Sequence, residues 1–189
     1  MKTGFYARLA YGGMRKNSRL YTPYLLTCTG MVMMLYVISA LSSSPVIRAV
    51  RGGRTVAEMM NLGVFVICVF SAIFLFYTNS FLMGRRRREF GLYNILGMGK
   101  RNIGRILLWE SLMTAGLSLV VGLGAGIGLF KLAELWLVNI IRGKVSYPLS
   151  ISLDSVKMTI ICFSVIFLLI YLNDLRQIHA SNPVQLLKG

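Results

Sequence analysis

Residues 62–83 read LGVFVICVFSAIFLFYTNSFLM, and residues 84–105 continue GRRRREFGLYNILGMGKRNIGR. The first half is an apolar run of the length a helix needs to cross a bilayer, about 20 residues. The second half carries the densest positive charge in the chain and leads into another apolar block at 106–130. Two spans joined by a basic turn are the simplest reading. Working outward, apolar blocks at 24–41 and 156–173 supply two more spans. The last is short and is lengthened by the flanking stems of Lys157 and Arg176, which reach toward the headgroups. The predicted fold is all-α and polytopic: four transmembrane helices with a cytoplasmic coupling helix between spans two and three.

Composition agrees. Of the 189 residues, 56% are hydrophobic and only 14% charged, where a soluble domain carries about 25% charged residues. Lys and Arg number 21 against 6 acidic residues. Such an excess suits nucleic acid in a soluble protein, but here the bases flank apolar spans, so the positive-inside rule accounts for them and no nucleic-acid partner is expected. Five precede the first span (Lys2, Arg8, Arg15, Lys16, Arg19), seven lie at 84–105, and Arg176 and Lys188 follow the last span. The other two connections hold seven between them. Fourteen against seven places both termini and the 84–105 connection in the cytoplasm. Segment 1–23, which mixes Phe5, Tyr6, Tyr11 and Tyr21 with bases, reads as an amphipathic element on an anionic leaflet. It is too long and polar for the n-region of a cleavable signal, so the first span stays as an anchor. Asn17 or Ser18 can cap a helix, and Pro23 fits a first helical turn.

The basic turn has internal structure. Phe90, Tyr93 and Leu96 recur at three-residue spacing on a helix otherwise covered by arginine, which gives one apolar face. Gly97 and Gly99 supply the turn that stops one helix, starts the next and acts as a hinge. A helix of this kind is suited to the groove of a partner. In the third span, Gly122 with Gly126 and Gly124 with Gly128 form two overlapping small-xxx-small pairs. Lipid gives helices no hydrophobic reason to associate, so glycine faces mark close packing, against another span or against a second subunit. Glu110 lies one turn inside the same span, positioned to reach the headgroups or to pair with Arg105. Asn79 reads as interfacial. Cys28, Cys68 and Cys162, odd in number and scattered, read as buried thiols.

The connection at 42–61 is a short external loop marked by Pro45 and Gly52–Gly53, with no room for a folded domain. Segment 131–155 is external too: Leu132, Leu135 and Trp136 continue the third helix along the outer interface, Arg142–Gly143 end it, and Ser152 and Asp154 cap the fourth. A cytoplasmic tail, 174–189, closes the chain.

Catalytic chemistry is absent from the sequence. His179 is the only histidine, and the acidic residues are too dispersed for a metal site or an acid–base pair. The Gly99–Lys100 step is no P-loop, because Asn94 stands where the first glycine belongs and Arg101 where Ser or Thr must follow. No catalytic, cofactor or metal residue is expected, and any ATPase must be another chain.

REFGLYNILGMGKRNIGRILLWES (88–111), YPLSISLDSVKMT (147–159) and NPVQLLKG (182–189) resemble the FtsX-like permeases of ABC transporters, with the FtsX-like domain over 62–189. The chain looks like the N-terminal four-span half of the longer bacitracin-export-type permeases of Gram-positive bacteria. The resemblance implies a multi-pass protein of the bacterial plasma membrane that transmits motion from a separate ABC-type ATPase. The work done would be on antimicrobial peptides or lipid-linked intermediates at the outer membrane face, as in peptide resistance. It implies an ATPase-coupling role for Arg88, Glu89, Phe90, Gly91, Leu92, Tyr93, Leu96, Gly97 and Gly99. Besides the ATPase and the lipid bilayer, the partners it suggests are a second permease copy or a missing C-terminal half, and a sensor kinase. A non-transporting scaffold or regulator, or a truncated permease remnant, is the alternative.

Overall fold

The computed structural model describes residues 3–45, 47, 52–95, 98–141 and 152–180. They form five helices and, among the described residues, no strand: α1 (Thr3–Lys16), α2 (Ser18–Ser43), α3 (Gly53–Ile95), α4 (Lys100–Ile141) and α5 (Leu153–Ala180). Helices α2 to α5 are each long and apolar enough to cross a membrane. Every helix overruns its apolar block, because backbone hydrogen bonding persists where the chain leaves the hydrocarbon. At 1.5 Å per residue, the 43 residues of α3 rise about 65 Å, twice the ~30 Å a bilayer core needs. The helix expected to be separate between spans two and three is therefore the unbroken continuation of the second span. Pro23 lies inside α2, beyond its first turn, so the chain enters the helix earlier than the proline suggested.

Each long helix buries one narrow stripe and exposes the rest. On α3 the stripe is Ser71, Leu75, Asn79, Leu82, Arg86 and Phe90; on α5 it is Thr159, Phe163, Ile166, Ile170, Asp174 and Ile178. Steps of three and four residues keep these side chains on one helical face. The opposite faces show large hydrophobics, among them Phe65, Phe70, Ile73, Phe81, Val120, Val165 and Leu172. Exposed hydrophobics, with the polar groups of the stripes kept inside among apolar ones, suit lipid as solvent.

The chain divides into two compact units, and each long helix contributes one segment to both. The first unit draws on Met1–Thr27, Phe74–Leu117 and Ser164–Gly189, the second on Cys28–Ile73 and Ser118–Phe163. In the second unit Tyr36, Ala40 and Phe130 form the core, with the Tyr36 and Phe130 rings edge to face at 6.4 Å. Gly122 and Gly126 admit α2 here. A Cβ on Gly122 would stand 2.7 Å from Val32 Cβ, and one on Gly126 2.9 Å from Tyr36 Cδ1. Gly124 and Gly128 face open space. Of the two small-residue pairs, one is thus used within the chain. Ser152 caps α5, its Oγ accepting from the Ser155 N–H at 3.4 Å. Cys68 and Cys162, expected as separate thiols, are paired across α3 and α5 with their Cα atoms 7.3 Å apart; Cys28 is buried apart from them. The expected outer turn at Arg142–Gly143 lies outside the described residues, as do Leu96, Gly97 and the tail from Ser181.

Candidate functional site

The first unit contains the break between α3 and α4. Helix α3 closes with the Met98 N–H donating to the Tyr93 carbonyl at 2.9 Å, and Gly99 starts α4 by accepting from the Asn102 N–H at 2.9 Å. Phe90 and Met83 from α3, Ile103 and Leu107 from α4 and Ile178 from α5 form one apolar cluster, with Tyr93, Met98 and Tyr171 packed against it. Phe90 and Tyr93, two members of the apolar stripe read as a partner-binding face, are therefore used inside the chain. Phe90 is only 3% exposed, Gly91 is buried and Tyr93 half-buried. The physical reason is that α4 folds back along α3, and the nearest apolar surface available to the stripe is its own neighbour. Of the expected coupling residues, Leu92 stays open at 54% exposure, and Gly99 is exposed with no atom near a built Cβ. Glu89 is half-buried, accepting from Asn17 Nδ2 at 2.6 Å and lying 3.4 Å from Arg86 Nε. Arg88 is helical, with its side chain outside the described set.

Under this cluster lies a charged core that the sequence reading did not assemble. Arg86, one of four consecutive arginines, is 2% exposed, and Glu110 is 4% exposed. They form an ion pair through Arg86 Nη1 and Glu110 Oε2. The Tyr21 hydroxyl joins it, donating to Glu110 Oε2 at 3.1 Å and accepting from Arg86. The guanidinium also lies over the Phe90 ring at 4.9 Å and the Tyr21 ring at 5.4 Å, so its faces meet π-density while its edge meets oxygen. Glu110 thus pairs with Arg86 and not with Arg105, which is exposed and stands 5.8 Å over the Tyr6 ring. Asn79 is buried and donates to Asp174 Oδ1 at 2.7 Å. Beside these groups a small cavity of about 30 Å³, lined by Tyr21, Asn79, Glu110, Thr114 and Asp174 among others, has room for a water.

The sequence carried a usable signal for this core. Arg86 falls on the Leu82–Arg86–Phe90 stripe and Glu110 on the Ile103–Ile106–Glu110–Thr114 stripe. A charge in register with buried residues needs an opposite charge at the same depth. Arg85, one residue away, is exposed and lies over Phe81 at 5.3 Å.

No group of three or more His, Cys, Asp or Glu residues suited to a metal occurs among the described residues. What the site offers is an exposed basic crook with Leu92, Arg85, Arg101 and Arg105 on its surface, joining two helices long and apolar enough to cross a membrane.

Residues 61–180 match the FtsX-like permease C-terminal family. The chain is 29% identical over 181 residues to the bacitracin export permease protein BceB of Bacillus subtilis, covering 96% of this chain and 28% of that protein. It is 26% identical to the uncharacterized ABC transporter permease YvcS of the same organism, covering 92% of this chain and 27% of that protein. BceB of Halalkalibacterium halodurans is 28% identical over 159 residues, 84% of this chain and 24% of that protein. The chain spans about a quarter of the length of these relatives. With a family match over more than half its residues and four helices able to cross a bilayer, this multi-pass protein of the bacterial plasma membrane belongs to the FtsX-like permease family.

Proposed function

We propose that the chain works as permease subunit material of a mechanotransmitting ABC transporter, taking motion from a separate ATPase at the α3–α4 crook and delivering it to the spans. The observation that supports this most is continuity: α3 runs unbroken from Gly53 to Ile95, so a push on its basic end displaces the whole helix. A continuous helix transmits displacement because bending it must break backbone hydrogen bonds. Both termini and the crook lie on the cytoplasmic side in this reading, on the strength of the lysine and arginine distribution. Docking falls to Leu92 and the exposed arginines 85, 101 and 105, with Gly99 allowing close approach; Phe90 and Tyr93 support that surface from within. The material handled is an antimicrobial peptide or lipid-linked intermediate at the outer face, in keeping with the bacitracin export named for BceB.

The test is recovery of the ATPase encoded beside this gene with the detergent-solubilised chain. Wild type is expected to retain it, and Leu92→Asp with Arg101→Glu is expected to lose it at unchanged expression. Failure of wild type to bind any such ATPase would sink the reading and favour a scaffold.

A further inference from the structure

We infer that α1 is a splint across the α3–α4 break, holding the last turns of α3 and the first turns of α4 as one rigid crook. The inference rests on the proposed coupling role for its functional consequence, though not for its mechanical content. Tyr6, Ala10, Gly13 and Asn17 occur at steps of four, three and four, so they share one face of α1 and its exit turn. Every one of them meets the crook. The Tyr6 hydroxyl donates to Asn102 Oδ1 at 3.0 Å, on the first turn of α4. Ala10, fully buried, packs with Tyr6 and Ile106, with Leu9, Met98 and Trp109 around them. A Cβ on Gly13 would stand 3.4 Å from Glu110 Oε1 and 3.5 Å from Arg86 Nη2, so α1 lies directly over the buried ion pair. Asn17 Nδ2 donates to Glu89 Oε1 at 2.6 Å, on the last turns of α3.

These contacts fall on both sides of the break: Arg86 and Glu89 before it, Asn102, Ile106 and Glu110 after it. Met98, inside the break, packs against both the α1 cluster and the Phe90 cluster. A glycine-flanked joint left alone would bend under load and dissipate a push. With α1 in place, bending must separate two end hydrogen bonds, unpack Ala10 and open the Arg86–Glu110 pair to water. A small residue is required at position 13 because the ion pair leaves no room there for a long side chain. The basic, aromatic outer face of α1, with Phe5, Arg8, Tyr11 and Arg15 exposed, remains available to the leaflet.

Hydrogen exchange of the full chain in nanodiscs is the first readout. Gly13→Ala places its methyl at ordinary contact distance and is expected to exchange within twofold of wild type over 86–106. Gly13→Leu wedges α1 away and is expected to raise exchange there at least tenfold, with residues 30–40 unchanged. Should the leucine variant unfold, Tyr6→Phe with Asn17→Leu removes both end hydrogen bonds without adding bulk, and a rise of at least threefold over 86–106 is expected. The second readout is ATPase stimulation. Joining Tyr6→Cys to Asn102→Cys with a short bis-maleimide is expected to leave stimulation within twofold of wild type, whereas Gly13→Leu binds the ATPase normally and loses at least fivefold. Wild-type exchange in both wedge and end-bond variants overturns the splint. So does loss of stimulation in the cross-linked protein with binding retained, since α1 would then have to lift. If wild type binds no ATPase, the proposed function fails and the exchange readout alone decides the splint.

Discussion

Replacing Arg86 by methionine removes the cation from a carboxylate that the fold has withdrawn from solvent. Glu110 would then keep the Tyr21 hydroxyl on Oε2, while Oε1 already lacks a hydrogen-bond partner among the described residues. Breaking one side of a buried pair costs about 3–5 kcal/mol, because the remaining charge keeps its desolvation penalty without its partner. That is at least about a fifth of the roughly 5–15 kcal/mol by which ordinary folds are stable. The double variant Arg86→Met/Glu110→Leu removes both charges and both penalties, and replacing a whole buried pair by apolar groups is often neutral or stabilising, by up to about 4 kcal/mol. The double is therefore expected to be more stable than Arg86→Met alone, with an interaction energy of about 3 kcal/mol or more in the cycle. Arg85→Met, on an exposed neighbour in the same arginine run, should change stability little. Unfolding in mixed dodecylmaltoside–SDS micelles, followed by helical circular dichroism, supplies all four values. An Arg86→Met loss below about 1 kcal/mol, or a double variant as impaired as the sum of the singles, would refute the reasoning.

Other perturbations separate structural from docking roles. Phe90→Ala should destabilise by about 3–5 kcal/mol, since it empties the centre of a buried cluster, and lower the yield of folded protein in size-exclusion profiles. Leu92→Ala, on the open side of the same helix, should leave the unfolding midpoint unchanged and weaken ATPase recovery. Gly122→Leu should cost about 1–3 kcal/mol or more through overpacking against Val32 and Thr29, whereas Gly124→Leu should leave the thermal midpoint of the detergent-solubilised monomer where it was. Asn79→Leu deprives buried Asp174 of its 2.7 Å donor and should cost about 1–3 kcal/mol, read in the same micelle assay.

The sequence determined the class of fold because lipid imposes a one-dimensional requirement. A span needs about 20 apolar residues in a row, and runs such as 62–83 are visible without knowing any contact. The family was legible for the same reason, being carried by contiguous segments such as 88–111. The small-residue face of α4 was legible as a face, but its partner was not: that Gly122 and Gly126 meet α2 while Gly124 and Gly128 stay open depends on where α2 lies. Likewise a three-residue period showed that Phe90 and Tyr93 share a side of α3, and only the return of α4 decided that this side points inward. Arg86 is the sharpest case. Composition and the positive-inside rule treat four consecutive arginines alike, yet a helix turns 100° per residue, so neighbours in sequence face different surroundings. That Arg86 is buried while Arg85 is exposed follows from the packed stripe of α3, and what Arg86 pairs with follows from residues 21 and 110, brought together only by folding. Local sequence set the elements, and the choice among their faces belonged to the tertiary structure, since packing is decided by surfaces far apart along the chain.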